Sequence, residues 1–143
     1  MLVIENHIRE LMIEDAVNSF PDECCGFMFG REETDGTRVI LDVLVVDNSK
    51  AGDKTRRFEI SPADYMTAEQ HALDHDWTLL GVYHSHPNHP AIPSEHDRRA
   101  AQPFFSYLII SVLNNEIITL RSWLLNEEQQ FEEEKIIDFQ FTQ

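Results

Sequence analysis

Apolar residues in this chain fall in short continuous runs, at residues 24–29, 39–46, 79–83, 107–113 and 117–125. Runs of this length, set off by turn or polar residues, suit buried strands better than helices. The stretch Glu32-Glu33-Thr34-Asp35-Gly36 is turn chemistry and predicts a hairpin between the first two runs. Asn114-Asn115 predicts a tight turn joining the last two. Helical spacing appears between the runs. Asn6 can cap a first helix carrying Ile8, Leu11, Met12 and Ala16 inward, closed by Pro21. Ser61-Pro62-Ala63-Asp64 reads as a serine cap with proline at the first helical position. Its helix is expected to run to about Asp74, with Tyr65, Ala68, Ala72 and Leu73 facing the core. Ser94-Glu95-His96-Asp97 repeats the capping pattern and opens a short helix ending before Pro103. Residues 57–60 alternate briefly, and residues 131–141, with Glu132, Glu133 and Glu134, read as a solvated edge strand or a terminal helix.

The 143 residues fit one domain, residues 1–143, and 42% apolar composition is enough to bury a core. A formal charge of −15 repels phosphate backbones and argues against nucleic acid as a partner. No stretch approaches the roughly 18 apolar residues of a membrane span, and the start has no basic segment of the kind that opens a secretory signal. The two cysteines, Cys24 and Cys25, are neighbours and cannot staple distant parts of a fold. These features together predict a cytoplasmic protein with no membrane partner.

The chemistry concentrates in one stretch, Tyr83-His84-Ser85-His86-Pro87-Asn88-His89-Pro90-Ala91-Ile92-Pro93-Ser94-Glu95-His96-Asp97. Histidines at i and i+2 leaving a strand point to the same side, so His84 and His86 can converge on a divalent metal. A proline-rich loop that folds back can bring Asp97, in the first turn of the next helix, to the same point as a third ligand. Two histidines and one carboxylate leave a fourth tetrahedral position open, the pattern of a catalytic zinc site. Zn2+ suits this donor set best, although iron or manganese is also compatible with it. A hydrolase built this way also needs a general base, and spacing alone does not select one among the chain's many acids.

Glu23, then His84-Ser85-His86, seven further residues, Ser94, two residues and Asp97 form a pattern that resembles the JAMM (MPN-plus) metalloprotease family. The run Pro21-Asp22-Glu23-Cys24-Cys25-Gly26 looks like the segment around the catalytic glutamate of the short prokaryotic members, with landmarks spanning about Pro21 to Arg99. The resemblance implies His84, His86 and Asp97 as zinc ligands, Glu23 as general acid/base, and Ser94 as hydrogen-bond donor to the oxyanion. It implies an α+β, cytidine-deaminase-like fold: a single domain with a central curved mixed β-sheet flanked by helices. It further implies cleavage of an amide or isopeptide bond after the Gly-Gly tail of a ubiquitin-like or sulfur-carrier protein. A tail without side chains can lie along a strand edge, so a free edge is expected near the site.

Other readings belong to other classes. A catalytically silent MPN-type scaffold would bind partners through the same fold, and a small-peptide amide hydrolase would need no folded substrate. Ser94 and Asp97 also make an ordinary capping box, in which one hydroxyl would have to serve both cap and catalysis. His71 and His75 have helical metal-pair spacing but lack the glutamate of a His-Glu-x-x-His site, and are read as exposed polar residues. His89 and His96 are read as solvated. Cys24 and Cys25 occupy successive strand positions, so one is expected to face in and one out. The pairs Arg56-Arg57 and Arg98-Arg99 can meet an acidic partner or simply lower self-repulsion.

Overall fold

In the computed structural model, which describes residues 1–139, the strand-length runs assemble into one eight-stranded curved sheet, ordered β7-β6-β5-β4-β2-β3-β1-β8. The elements follow one another as β1 (Leu2–Glu5), α1 (Asn6–Ser19), β2 (Cys25–Glu32), β3 (Arg38–Val46), α2 (Pro62–His75), β4 (Thr78–Pro87), α3 (Glu95–Ala100), β5 (Ser106–Leu113), β6 (Ile117–Leu125), β7 (Phe131–Glu134) and β8 (Ile136–Phe139). Both expected hairpins form, β2 with β3 and β5 with β6, each antiparallel. Asn114 and Asn115 take φ of 52° and 58°, the left-handed conformation that a tight hairpin turn asks of asparagine. The sheet is mixed because β1 runs parallel to β3 and β8, and β4 parallel to β5.

Period-two alternation divides the apolar residues of the central strands between two faces, with one register shift opposite Met28 and Phe29 that turns Leu80 to the same side as Tyr83. Leu80 and Tyr83 of β4, with Met28 of β2, join Ile8, Met12 and Ala16 of α1 in one core. Val82, Phe27 and Phe29 join Ala68 and Ala72 of α2 in the other. Since helices cover both faces, Cys24 and Cys25 are both buried, and the expectation that one would face out does not hold. Leu73, expected to face the core, is 75% exposed, because the buried stripe of α2 is the narrower one through Ala68 and Ala72. The first helix is capped by Glu5, whose carboxylate accepts from His7 N–H, and not by Asn6. Residues 57–60 form no strand. The C-terminal segment forms β7 and β8, which resolves the alternative in favour of edge strands; residues 140–143, including Phe141, lie outside the described residues.

Strand β4 is longer than its apolar run suggests and carries both histidines within it. A parallel partner cannot follow through a tight turn, so the chain must cross over before β5. That crossover holds α3 and places it over the carboxyl end of β4. The connection is tied down along its length. Asn88 N–H donates to Val112 O at 2.8 Å, Trp123 Nε1–H to Ala91 O at 3.0 Å, and the Ser111 hydroxyl to His89 O.

Candidate metal centre

His84 and His86, two apart on β4, project from the same face as Val82, toward the α2 side of the sheet. Their Nε2 atoms stand 3.2 Å apart. Asp97, in the first turn of α3, brings Oδ2 to 3.2 Å from His86 Nε2 and 3.4 Å from His84 Nε2. Glu23, in the residues leading into β2, belongs to the same cluster: donor atoms of Glu23, His84 and His86 all lie within 4.8 Å of one another. The predicted set of Glu23, His84, His86 and Asp97 is thus gathered at one end of the sheet. Ser94 stands beside it, lining a cavity with Glu23 and His86.

Local bonds orient each donor. His86 Nδ1 lies 2.9 Å from Pro90 O, which can only accept, so Nδ1 carries a proton and Nε2 is the nitrogen that faces the cluster, where it would offer its lone pair to a bound metal. A carbonyl on the far nitrogen of a ligating histidine is the usual support of a metal site. The His84 ring is stacked on Phe58, centroids 4.4 Å apart, and its buried Nδ1 has no hydrogen-bond partner among the described residues. Asp97 Oδ2 accepts from Ser94 N–H at 2.9 Å while Ser94 Oγ accepts from Asp97 N–H at 3.0 Å, a complete capping box. The Ser94 hydroxyl uses a lone pair for this, so its proton stays available to donate, and cap and donor roles are compatible.

Glu23 is held through its backbone. Its N–H donates to Lys54 O at 2.7 Å, and its carbonyl accepts from Asn48 Nδ2 at 3.1 Å. The next N–H, of Cys24, donates to the buried Ser85 Oγ at 2.8 Å, which ties the segment to the strand between the two histidines. Asn48 spends its whole amide here, donating also to Arg57 O and accepting from the Lys50 and Glu59 N–H groups.

Burial pushes the Glu23 carboxyl up to about 8; His86 and Arg57 oppose the rise, and Asp97 and Asp53 add to it. Desolvation would raise Asp97 as well, yet the charge of His84, hydrogen bonds to both imidazoles and the Ser94 N–H hold it well below the usual carboxylate range. Burial drives His84 down. For His86, desolvation is outweighed by its bonds to Asp97 and Pro90 O, and the imidazole moves up. The two carboxyls thus shift in opposite directions, Glu23 toward its neutral form and Asp97 toward its ionised form, which suits a proton carrier and a metal ligand respectively.

The donor spacing tests whether a metal fits. Ligand atoms about 2.0–2.1 Å from a tetrahedral zinc stand roughly 3.3 Å from one another. The three separations among His84 Nε2, His86 Nε2 and Asp97 Oδ2 are 3.2, 3.2 and 3.4 Å. These residues therefore fit a tetrahedral ion with one position left open.

Cavities adjoin the cluster on two sides. One, about 480 Å³, is lined by Glu23, Arg56, His86, His89, Pro90, Ile92 and Ser94. The other, about 310 Å³, is largely apolar, with Phe58, Ile60, Tyr65, Val82 and Tyr107 against His84 and Asp97. Phe58, Asn48 and Ser85 were not among the sequence candidates. Only Ser85 carried a signal, its position between two paired histidines. His89 and His96 each line a cavity without joining the donor cluster. His71 is not the exposed residue expected: it packs on Phe29 and bonds Asp42 at 3.0 Å. The free edge expected beside the site is not supplied by the sheet, whose edges are β7 and β8 while β4 lies between β2 and β5.

A His–His–carboxylate centre at the carboxyl end of an inner strand defines a candidate metal-dependent domain with the fold of the JAB/MPN proteins. The chain belongs to the family of prokaryotic homologues of the JAB domain, which it matches over residues 5–126. It is 28% identical to a desampylase from Pyrococcus furiosus over 136 residues, 95% of this chain and 89% of that protein. It is 25% identical over 124 residues to a CysO-cysteine peptidase from Mycobacterium tuberculosis, 86% of this chain and 82% of the relative. A solution structure of a Desulfitobacterium hafniense protein superposes with a TM-score of 0.88 at 32% identity, covering 99% of this chain and 94% of that one. No helix among the described residues is long and apolar enough to cross a membrane.

Proposed function

We propose that this chain is a zinc-dependent hydrolase that cuts an amide or isopeptide bond following the Gly-Gly tail of a ubiquitin-like or sulfur-carrier protein. The observation that carries the reading is the meeting of three donor atoms at tetrahedral spacing with the buried Glu23 carboxyl beside them. The names of the relatives, a desampylase and a CysO-cysteine peptidase, support a peptidase acting on a protein conjugate.

In this reading His84, His86 and Asp97 hold the zinc. When bound, the ion acidifies water and polarises the scissile carbonyl. Glu23, in the ionised form that the charge of a bound ion would favour, accepts a proton from the attacking water and delivers it to the departing nitrogen; the backbone that presents it is fixed by Lys54, Asn48 and Ser85. The Ser94 hydroxyl, exposed on the same cavity, donates to the oxygen on which negative charge develops.

The test is a fusion of a ubiquitin-like protein bearing a Gly-Gly tail, incubated with the zinc-loaded protein and with Glu23→Gln. Cleavage after the second glycine by the wild type, lost in a variant that still binds zinc, supports the reading. A wild type that leaves the fusion intact but binds it as well as the variant does would favour the scaffold. Cutting of the isolated tail peptide with no preference for the folded fusion would favour a small-peptide hydrolase.

A further inference from the structure

The cavity that holds Glu23 and Ser94 is lined by a cation as well. Arg56 reaches into it from the loop after β3, with a side chain 81% exposed and its nearest carboxylate, that of Asp53, 3.9 Å away. Arg57 follows and makes no ion pair within 4.0 Å among the described residues. The placement stands out against the whole chain. Of eleven lysines and arginines in a sequence of formal charge −15, Lys50, Lys54, Arg56, Arg57, Arg98 and Arg99 all fall in the two segments bordering the site. The loop is also not free to swing. Glu23 N–H bonds Lys54 O, and the Asn48 amide grips Glu23 O, Arg57 O and Glu59 N–H, so the backbone on either side of Arg56 is fastened to the segment that presents Glu23.

We infer that Arg56 forms a carboxylate-binding subsite on the leaving-group side of the cut, selecting conjugates whose departing amino acid has a free α-carboxylate. The inference rests on the proposed roles of Glu23 and Ser94. Glu23 delivers its proton to the departing nitrogen, so the departing group lies in the cavity that Glu23 and Arg56 share. In an α-linked amino acid the carboxylate is two bonds from that nitrogen, about 2.5 Å away. In an isopeptide the nitrogen sits at the end of a lysine side chain, and no carboxylate comes near. A guanidinium fork matches a carboxylate in two parallel hydrogen bonds, and an arginine without a close partner gives up little to make them. Hydrolysis balances simply: water adds across the amide, the second glycine regains a carboxylate, and the amino acid leaves with its amine and its own carboxylate.

The experiment compares three synthetic tails ending in Gly-Gly-Ala with a free acid, Gly-Gly-Ala amide, and Gly-Gly linked to a lysine ε-amine. Each is tested for turnover by the zinc-loaded protein and for affinity to Glu23→Gln, which holds the tails uncut. The free acid is expected to exceed the amide and the isopeptide by about fivefold to tenfold in both readouts, a modest ratio because Arg56 is exposed. Arg56→Gln should bring the ratio to about one, and Arg56→Lys should keep part of it. Equal handling of the three tails by the wild type overturns the inference while leaving the hydrolase reading intact. A preference that survives Arg56→Gln overturns the assignment to Arg56. If neither the tails nor the folded fusion is cut but the free acid still binds more tightly, the hydrolase reading fails and the subsite stands.

Discussion

Two helices of this molecule open with the same sequence device. Ser61 and Ser94 are both N-caps, and each is followed three residues later by an aspartate in the first turn. At α2 the serine oxygen accepts from Asp64 N–H at 3.1 Å, and the helix runs for 14 residues with a buried stripe against the sheet. At α3 the corresponding bond is 3.0 Å, but the helix has six residues and buries none of them. An N-cap contributes about 1 kcal/mol, worth adding to a helix already held by its packing. For α3 it has another consequence: the box fixes Asp97 with one carboxylate oxygen against both histidines. The same serine cap stabilises a long helix in one place and, where Ser94 N–H also donates to the Asp97 carboxylate, holds that carboxylate against two histidines in the other. The difference comes from what the chain crosses over, since α3 sits above the end of β4 and α2 lies along the sheet.

The largest effects should separate the two aspartates. Asp97→Ala removes one of the three donor atoms that stand at tetrahedral spacing, and hydrolysis of a Gly-Gly-tailed fusion should fall to background. Asp64→Ala should keep full turnover and lose at most about 1 kcal/mol of stability in a urea melt. Next comes the proton carrier. Glu23→Gln should lower kcat by about 10²–10⁴ with zinc content unchanged, and a variant that loses its zinc would make Glu23 a ligand instead. The serine pair is a finer test. Ser94→Ala should lower kcat by about 10²–10³ while KM moves little, whereas Ser61→Ala should leave kcat alone and cost about 1 kcal/mol in unfolding free energy. Equal kinetic effects at the two serines would reduce both to caps.

The smallest effect is a pH dependence in the zinc-free protein. Glu23 has an ordinary pKa of 4.5 and a folded value of about 8, so between these the folded state keeps a proton that the unfolded chain releases. Stability contributed by neutral Glu23 is therefore full below 4.5 and lost as pH rises through 8. Glu23→Gln removes this titration, so its Tm relative to wild type should rise from pH 4.5 to pH 8. A difference that stays flat across that range would mean the folded carboxyl is not retained in its neutral form.

How far the sequence carried these conclusions depended on what each signal measures. The hairpins were legible because turn chemistry and apolar alternation are local. His84, His86 and Asp97 were legible because they are close in sequence and sit around a crossover. Glu23 was reachable only through family resemblance: it is 61 residues from His84, and only the pairing of β2 with β4 brings them together. Strands β1 and β8, four residues each, give too short an alternation to register beside a stronger helix pattern. Phe58 and Asn48 could not have been found, since a phenylalanine in a short polar segment and an asparagine in a loop are ordinary until the loop is folded against the site. Leu73 failed for the opposite reason: helical spacing was right, but the sheet covers a narrower face than the pattern allows.

The most direct test of the metal centre is elemental analysis of zinc in the wild type, Asp97→Ala and Asp64→Ala after zinc loading and removal of free ion. About one zinc per chain in the wild type and in Asp64→Ala, with none in Asp97→Ala, is the expected result. A wild type that takes up no zinc, or three proteins with the same content, would contradict the assignment of the cluster as a metal centre.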